Sequence, residues 1–296
     1  MTRIEVFAPA KVNLALHVTG RRDDGYHLLD SLVAFAGVGD VLTILPEGEG
    51  TLAVTGPEAA GVPTDSANLI LQVATSVLPP RPVSFHLDKR LPAAAGLGGG
   101  SADAAACFRG LAMMQDTPET LATPEAIASL LALGADIPMC VPSDPARVQG
   151  IGEAITPVRL PALPVVLANP RVAVPTGAVF AGLDRRDTPG LEPLPDMTDT
   201  EALIAWLGRQ RNDLEGPARR VAPVIDRVLS ALSAAPGCRL ARMSGSGATC
   251  FALHDSDEVA EAAAADLRAA HPGWWVAACR LDGGDRAAPQ RIRATT

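Results

Sequence analysis

Lysine is almost missing from this 296-residue chain: of 25 basic residues, only Lys11 and Lys89 are lysines. No basic run exists, and the formal charge is −8. That balance excludes the electropositive surface of a nucleic-acid binder. It leaves room for phosphate ligands, which need only backbone dipoles and one or two cations. No apolar run reaches the ~18 residues of a membrane span. No signal peptide is visible, because Pro9 and Lys11 interrupt the first apolar stretch. The five cysteines (Cys107, Cys140, Cys238, Cys250, Cys279) are dispersed, odd in number and without a CxxC pair. Reduced, buried thiols are expected, in a soluble cytoplasmic protein. Aromatics make up 3%, with Tyr26 the single tyrosine.

Glycine, by contrast, is concentrated. Residues 91–106 read LPAAAGLGGGSADAAA, with Gly96, Gly98, Gly99 and Gly100 inside five positions. A strand over 83–87 precedes them, and a helix over about 101–114 follows Ser101. Glycine reaches positive φ and leaves no Cβ in the way. Successive N–H groups can then converge at a helix N-terminus, which suits phosphate. The P-loop pattern fails for want of its lysine, and GxGxxG fails because its sixth position is Ser101. A flexible linker is the plain alternative, but linkers are not usually flanked by a strand and an alanine-rich helix. The loop carries no cation, so a kinase built on it needs one from elsewhere.

The rest of the chain reads as mixed α and β. Residues 4–8 alternate as a strand, and AlaProAla at 8–10 leads into 11–18. There Val12, Leu14, Leu16 and Val18 share one face, and Lys11, Asn13, Ala15 and His17 the other. The second face is either solvated or functional. Tyr26 and His27 leave a polar turn, as loop packing or as a seat for a planar base. Strands are expected at 40–45 and 51–55. Asp65 or Ser66 caps a helix from about 68 to 77, and the proline-rich 79–82 ends it. Prolines 118 and 124 bracket a turn, Thr123 caps a helix to Leu133, and Gly134 closes it. Asp136 is the one charge in the apolar run 126–141, costly unless partnered: an N-cap, a base or a metal ligand. Residues 147–155 hold a turn, and prolines at 157–164 mark the domain boundary. A strand at 165–168 follows, then a helix capped by Thr176 that carries Phe180. Residues 184–200 read as a mobile loop. Helices are expected at 201–207, 224–234 and 257–270, and a strand–SerGlySerGly–strand unit at 239–253. A last strand over 274–278 precedes a loose tail.

Five stretches in order, PAKVNLALHVTGRRDDGYH, LPAAAGLGGGSADAAA, LGADIP, RNDLE and MSGSGATCFAL, resemble the GHMP small-molecule kinases. The match runs from about Ala8 to Phe251. It implies α/β plus α+β: a two-domain GHMP kinase architecture, residues 1–158 and 159–296, with the active site in the cleft between them. It implies that Lys11 and Asp136 form the catalytic pair, Asp136 taking the proton of a substrate hydroxyl. It implies ATP and Mg²⁺ as cofactors. Pro92, Ala93, Ala94, Ala95, Gly96, Leu97, Gly98, Gly99, Gly100, Ser101 and Ala102 then wrap the phosphates, with Ser101 a possible metal contact, and Asn68 and Lys89 lie near the adenine. Tyr26 and Phe180 sandwich a cytosine, His27 bonds its edge, and Asn13 and Thr176 lie nearby. Gly245 and Gly247 close the phosphate site. The implied substrate is a small cytidine-diphosphate alcohol, and the expected state a monomer or weak homodimer.

The chain departs from the family pattern in three places. AlaAlaAla at 93–95 stands where another glycine is frequent, so Ala95 is expected to stiffen the loop. Asp103 stands where Asn is also common, and Arg171 stands within a segment often written HisProGly. Two alternatives stay open on sequence: another GHMP enzyme acting on homoserine, mevalonate or a sugar, or a non-catalytic nucleotide-binding member.

Overall fold

The computed structural model describes residues 2–77, 83–115, 123–281 and 287–293. The proline-rich 79–82 and the turn at Pro118 lie outside them. The two longest elements are antiparallel neighbours, β1 (Thr2–Arg21) and β2 (His27–Leu45). The separate strands expected at 4–8 and 11–18 are one strand. Pro9 does not end it, because the β1–β2 register shifts between Pro9 and Lys11. A proline, having no N–H to offer, is tolerated at such a break. Further shifts fall between Asn13 and Ala15 and between Val18 and Gly20. They also defeat strict alternation: Lys11, Asn13 and Leu16 all line one cleft, while Val12 and Leu14 are in the core.

β3 (Leu52–Thr55) runs parallel to β4 (Ser84–Asp88), and β4 pairs with β2. The hairpin β5 (Ala146–Gly150) and β6 (Ala154–Pro157) joins the other end of β2, where only a turn was expected. In the second half, β7 (Leu163–Asn169), β8 (Cys238–Met243), β9 (Cys250–His254) and β10 (Trp275–Leu281) continue the order β2-β10-β7-β9-β8. The link to the first half is the single pair Leu281–Ala36. The tail is not loose: β11 (Gln290–Arg293) pairs with the start of β1.

The helices over these strands are α1 (Leu69–Val77), α2 (Gly99–Met114), α3 (Pro124–Leu133) and α4 (Ile137–Cys140). They continue with α5 (Thr176–Ala181), α6 (Thr200–Arg209), α7 (Glu215–Val221), α8 (Val224–Ser233) and α9 (Asp257–Ala270). Thr123 Oγ1 caps α3 as expected, accepting from Ala126 N–H. Thr176 does not cap α5, whose N-cap is Pro175. At the start of α1 the local bonds are made by Asn68, whose Oδ1 accepts from Ile70 N–H, and by Asp65. Gly134 is extended, at φ −178°, so α3 ends without a left-handed turn. Residues 184–199 lack regular structure but are pinned: Thr188 and Leu191 bond Val18 and Asp30. Among the described residues no helix is long and apolar enough to cross a membrane, and Cys107, Cys140, Cys238 and Cys250 form no disulfide.

One buried polar group fixes both ends of the glycine-rich loop. Asp40 on β2 is fully buried, and its Oδ1 accepts from the Arg90 and Leu91 N–H groups at 2.6 and 2.8 Å. Its Oδ2 receives Lys89 Nζ at 2.5 Å. The same ammonium donates to Asp103 of α2 at 2.8 Å. Burial pushes the Asp103 carboxyl up to about 8; Lys89 opposes that rise and Asp40 adds to it. For Lys89 burial works toward a lower pKa, but the two carboxylates outweigh it and the net shift is upward. Removing the cation leaves Asp40 buried and unpaired. Lys89→Met is therefore expected to lose about 3 kcal/mol of stability or more, read as a lower urea midpoint; an unchanged midpoint would refute the clamp.

Candidate active site

The bulges in β1 supply the site's first anchors. Lys11 N–H donates to Leu97 O at 2.8 Å, outside the β1–β2 ladder. Asn13 N–H donates to Ser244 Oγ at 3.1 Å. Leu16 N–H donates to Arg211 O at 2.9 Å. One strand thus holds the glycine loop, the SerGlySerGly turn and the RNDLE stretch. The two glycine features also interlock directly. Thr249 N–H bonds Ala95 O, and Ser244 Oγ–H bonds Gly96 O. Gly96 lies at φ +73°, and a Cβ there would stand 2.5 Å from Ser244 O. Glycine is required at 96 on both counts.

These elements bound a cleft of about 850 Å³, lined from both halves of the chain. Lys11 is 6% exposed, yet its ammonium reaches the cleft. It donates to Asp136 at 2.9 Å and to Asn13 Oδ1 at 2.9 Å. Asp136 sits at the N-cap of α4 but makes no capping bond. Its carboxylate turns to Lys11 instead, which supplies the partner that an acid in an apolar run needs.

The loop presents Ala94, Ala95, Gly96, Gly98, Gly99, Gly100 and Ser101 to the cleft. α2 begins at Gly99 with left-handed Gly98 (φ +62°) before it, no side-chain cap and no acidic residue in its first turn. Its first N–H groups have no helical partner, so an anion is favoured there. The residue bearing strain is Ala94, at φ +50°. Ala95, expected to stiffen the loop, is absent from the positive-φ residues and is packed in the core. Pro92, Ala93, Leu97 and Ala102 support the loop from outside the cleft lining. Asn68 and Lys89 do not line the cleft either: Asn68 organises α1, and Lys89 is spent on Asp40 and Asp103.

At another part of the cleft His27 stacks on Phe180, ring centroids 4.8 Å apart and 25° between planes. Tyr26 is 60% exposed beside them. His27 Nε2 is buried without a hydrogen-bond partner among the described residues. Desolvation first, then Arg21 and Arg186, lowers the His27 pKa. Thr176 Oγ1 and Ser246 Oγ are 2.9 Å apart and tie α5 to the SerGlySerGly turn. Gly245 lines the cleft, whereas Gly247 packs against Met243. His17, on the predicted functional face, is buried elsewhere. It bonds Pro189 O and Arg211 N–H, and burial lowers its pKa. Arg171 adopts φ +57° and ion-pairs with Glu58.

The sequence reading passed over Ser31, Leu16, Met139, Val148, Ile151 and Ser246, all of which line the cleft. Ser246 had a visible signal, as the second serine of SerGlySerGly. Ser31 had one too, as a polar residue in the apolar segment 28–35. The apolar residues had none, because cleft and core positions share one composition. Asn212 of RNDLE is scaffolding: its Nδ2 donates to Met243 O and Gly245 O.

Comparison with known proteins agrees with this geometry. The family profile "GHMP kinases N terminal domain" matches residues 67–143, and "GHMP kinases C terminal" matches 191–273. The 4-diphosphocytidyl-2-C-methyl-D-erythritol kinase of Dinoroseobacter shibae is 53% identical, over 92% of each chain. The enzyme of the same name from Cereibacter sphaeroides is 52% identical, over 94% of this chain and 99% of its own. A crystal structure of 4-(cytidine 5'-diphospho)-2C-methyl-D-erythritol kinase superposes with TM-score 0.76 at 37% identity, covering 95% of this chain and 100% of that one. Homoserine kinase from Cytophaga hutchinsonii shares the fold, with TM-score 0.67 at 19% identity over 98% and 97% of the two chains. With half of its residues identical over nearly the full length of such relatives, the chain belongs to the 4-diphosphocytidyl-2-C-methyl-D-erythritol kinase family of GHMP kinases.

Proposed function

We propose that this chain transfers the γ-phosphoryl group of ATP to the 2-hydroxyl of 4-diphosphocytidyl-2-C-methyl-D-erythritol, a step of non-mevalonate isoprenoid precursor synthesis. The observation that carries the reading is the Lys11–Asp136 pair, 2.9 Å apart, in a cleft shared by a glycine-lined helix N-terminus and a Tyr26–His27–Phe180 cluster. Asp136 accepts the proton of the 2-hydroxyl. The deprotonated 2-hydroxyl oxygen then forms the new bond to the γ-phosphorus while the bond to the β–γ bridging oxygen breaks and ADP leaves. Lys11 holds Asp136 and offsets charge at the attacking oxygen. The N–H groups of Gly99, Gly100 and Ser101 bind the phosphate oxygens. This is catalysis by positioning and charge neutralisation. Phe180 and Tyr26 provide ring faces for the cytosine, with the unpaired His27 Nε2 for its edge and Asn13 and Thr176 nearby.

No cluster of three or more acidic, His or Cys side chains able to hold a metal exists among the described residues. A magnesium ion would be held by the phosphates and water, with the Ser101 hydroxyl as the candidate protein contact. When bound, Mg²⁺ neutralises phosphate charge. We place the boundary between the two domains at 158/159, between β6 and β7, and the enzyme in the cytoplasm as a monomer or weak homodimer.

The decisive assay is ATP consumption with the cytidine diphosphate alcohol against homoserine, mevalonate and galactose. Product from the first substrate alone is expected. Turnover of a control instead would refute the assignment of the Tyr26 cluster. Asp136→Asn is expected to lower kcat about a hundredfold or more while nucleotide binding persists; near-normal kcat would remove Asp136 from the base role. Gly98→Ala forces a Cβ to within 3.2 Å of Lys11 Cε at φ +62°. It is expected to cut kcat about tenfold through displacement of the lysine; steady-state kinetics that match wild type would sink that expectation.

A further inference from the structure

Ser31 lies on the row of β2 that faces the cleft, between Leu29 and Val33. It is 2% exposed, and both capacities of its hydroxyl are committed. Oγ donates its proton to Ala15 O at 2.7 Å and accepts from Asn13 Nδ2 at 2.8 Å. The Ala15 carbonyl meets a side chain because the β1–β2 register shifts between Asn13 and Ala15. Asn13 Oδ1 in turn accepts from Lys11 Nζ at 2.9 Å, and Lys11 Nζ reaches Asp136 at 2.9 Å.

The donor–acceptor inventory gives this chain one direction. An ammonium only donates, so the Asn13 atom facing Lys11 must be the carbonyl oxygen. The amide NH₂ must then face Ser31, and Ser31 must accept. It can do so because its single proton is already given to Ala15 O. Each link fixes the next, from a backbone carbonyl at a bulge to the ammonium beside Asp136.

We propose that Ser31 is a positioning residue for phosphoryl transfer: its hydroxyl sets the sense of the Asn13 amide, which holds the Lys11 ammonium in place against Asp136. The inference rests on the reading of Lys11 and Asp136 as the reacting pair. An apolar residue at 31 frees the amide to turn its NH₂ toward Lys11, setting donor against donor. The ammonium then loses one of its two fixed partners. The nucleotide side is spared, because the Asn13 contact to the SerGlySerGly turn is made by its backbone N–H.

The test compares Ser31→Thr with Ser31→Val, which differ by a hydroxyl against a methyl of the same shape. The threonine variant is expected to keep kcat within about threefold of wild type, and the valine variant to lose about tenfold or more, with KM for ATP within about threefold in both. In an Asn13→Ala background the two are expected to converge. Equal kcat for the two single variants would overturn the proposal, as would a difference that persists without Asn13. If bulk at 31 prevents folding, Ser31→Ala carries the same cycle: kcat falls only while Asn13 is present, and a fall without Asn13 counts against the proposal. Failure of the kinase reading would look different. Wild type would then phosphorylate nothing, whereas the Ser31 comparison is made on an enzyme that turns over.

Discussion

The structure depends on the places where β1 stops following β2. A strand with an unbroken ladder spends its backbone groups on its neighbours and has none for loops. β1 breaks register at Pro9–Lys11, Asn13–Ala15 and Val18–Gly20. Near those breaks Lys11, Asn13 and Leu16 give their N–H groups to the glycine loop, the SerGlySerGly turn and RNDLE. Loops otherwise free to wander are thereby referenced to a strand that is buried throughout residues 8–18. The same breaks re-aim side chains, which brings Lys11 and Asn13 into the cleft and keeps their neighbours in the core.

The two lysines show how environment divides one chemistry into two roles. Lys89 lies between Asp40 and Asp103 with all three nearly sealed from water. Its charge is consumed in holding the ends of the glycine-rich loop. Lys11 is almost as buried, but its carboxylate partner is open to the cleft. Two buried arginines extend the scaffolding. Arg109 donates to the carbonyls of Phe7, Cys140, Val141 and Ala287, and burial brings its pKa down to about 10. Arg242 donates to those of Leu14, Leu207 and Gln210. Both knit distant segments by satisfying carbonyls that would otherwise be buried unpaired.

The fold shared with homoserine kinase at 19% identity does not by itself select a substrate. Selection belongs to the cleft walls. In this chain those walls include the His27–Phe180 stack and the Thr176–Ser246 contact. Apolar residues, Met139 and Val148 among them, share the cleft lining with the Lys11–Asp136 pair.

The sequence by itself determined most of the element types, the glycine-lined start of α2 and, through the family resemblance, the pairing of Lys11 with Asp136. Glycine spacing, a lone charge in an apolar run and five ordered motifs are local signals, and local chemistry carries them. Even so, the loose tail became β11, the turn at 147–155 a hairpin and the mobile loop 184–200 a pinned one. In each case the deciding partner lies far along the chain. Only the tertiary structure decided that Lys89 is withheld from the cleft, that His17 serves a loop, and that Ser31 stands behind Asn13. The physical reason is the same throughout. A polar side chain is assigned its work by whichever donors and acceptors folding brings within 3 Å or so, and strand bulges, which set those distances, leave no mark in a period-two pattern.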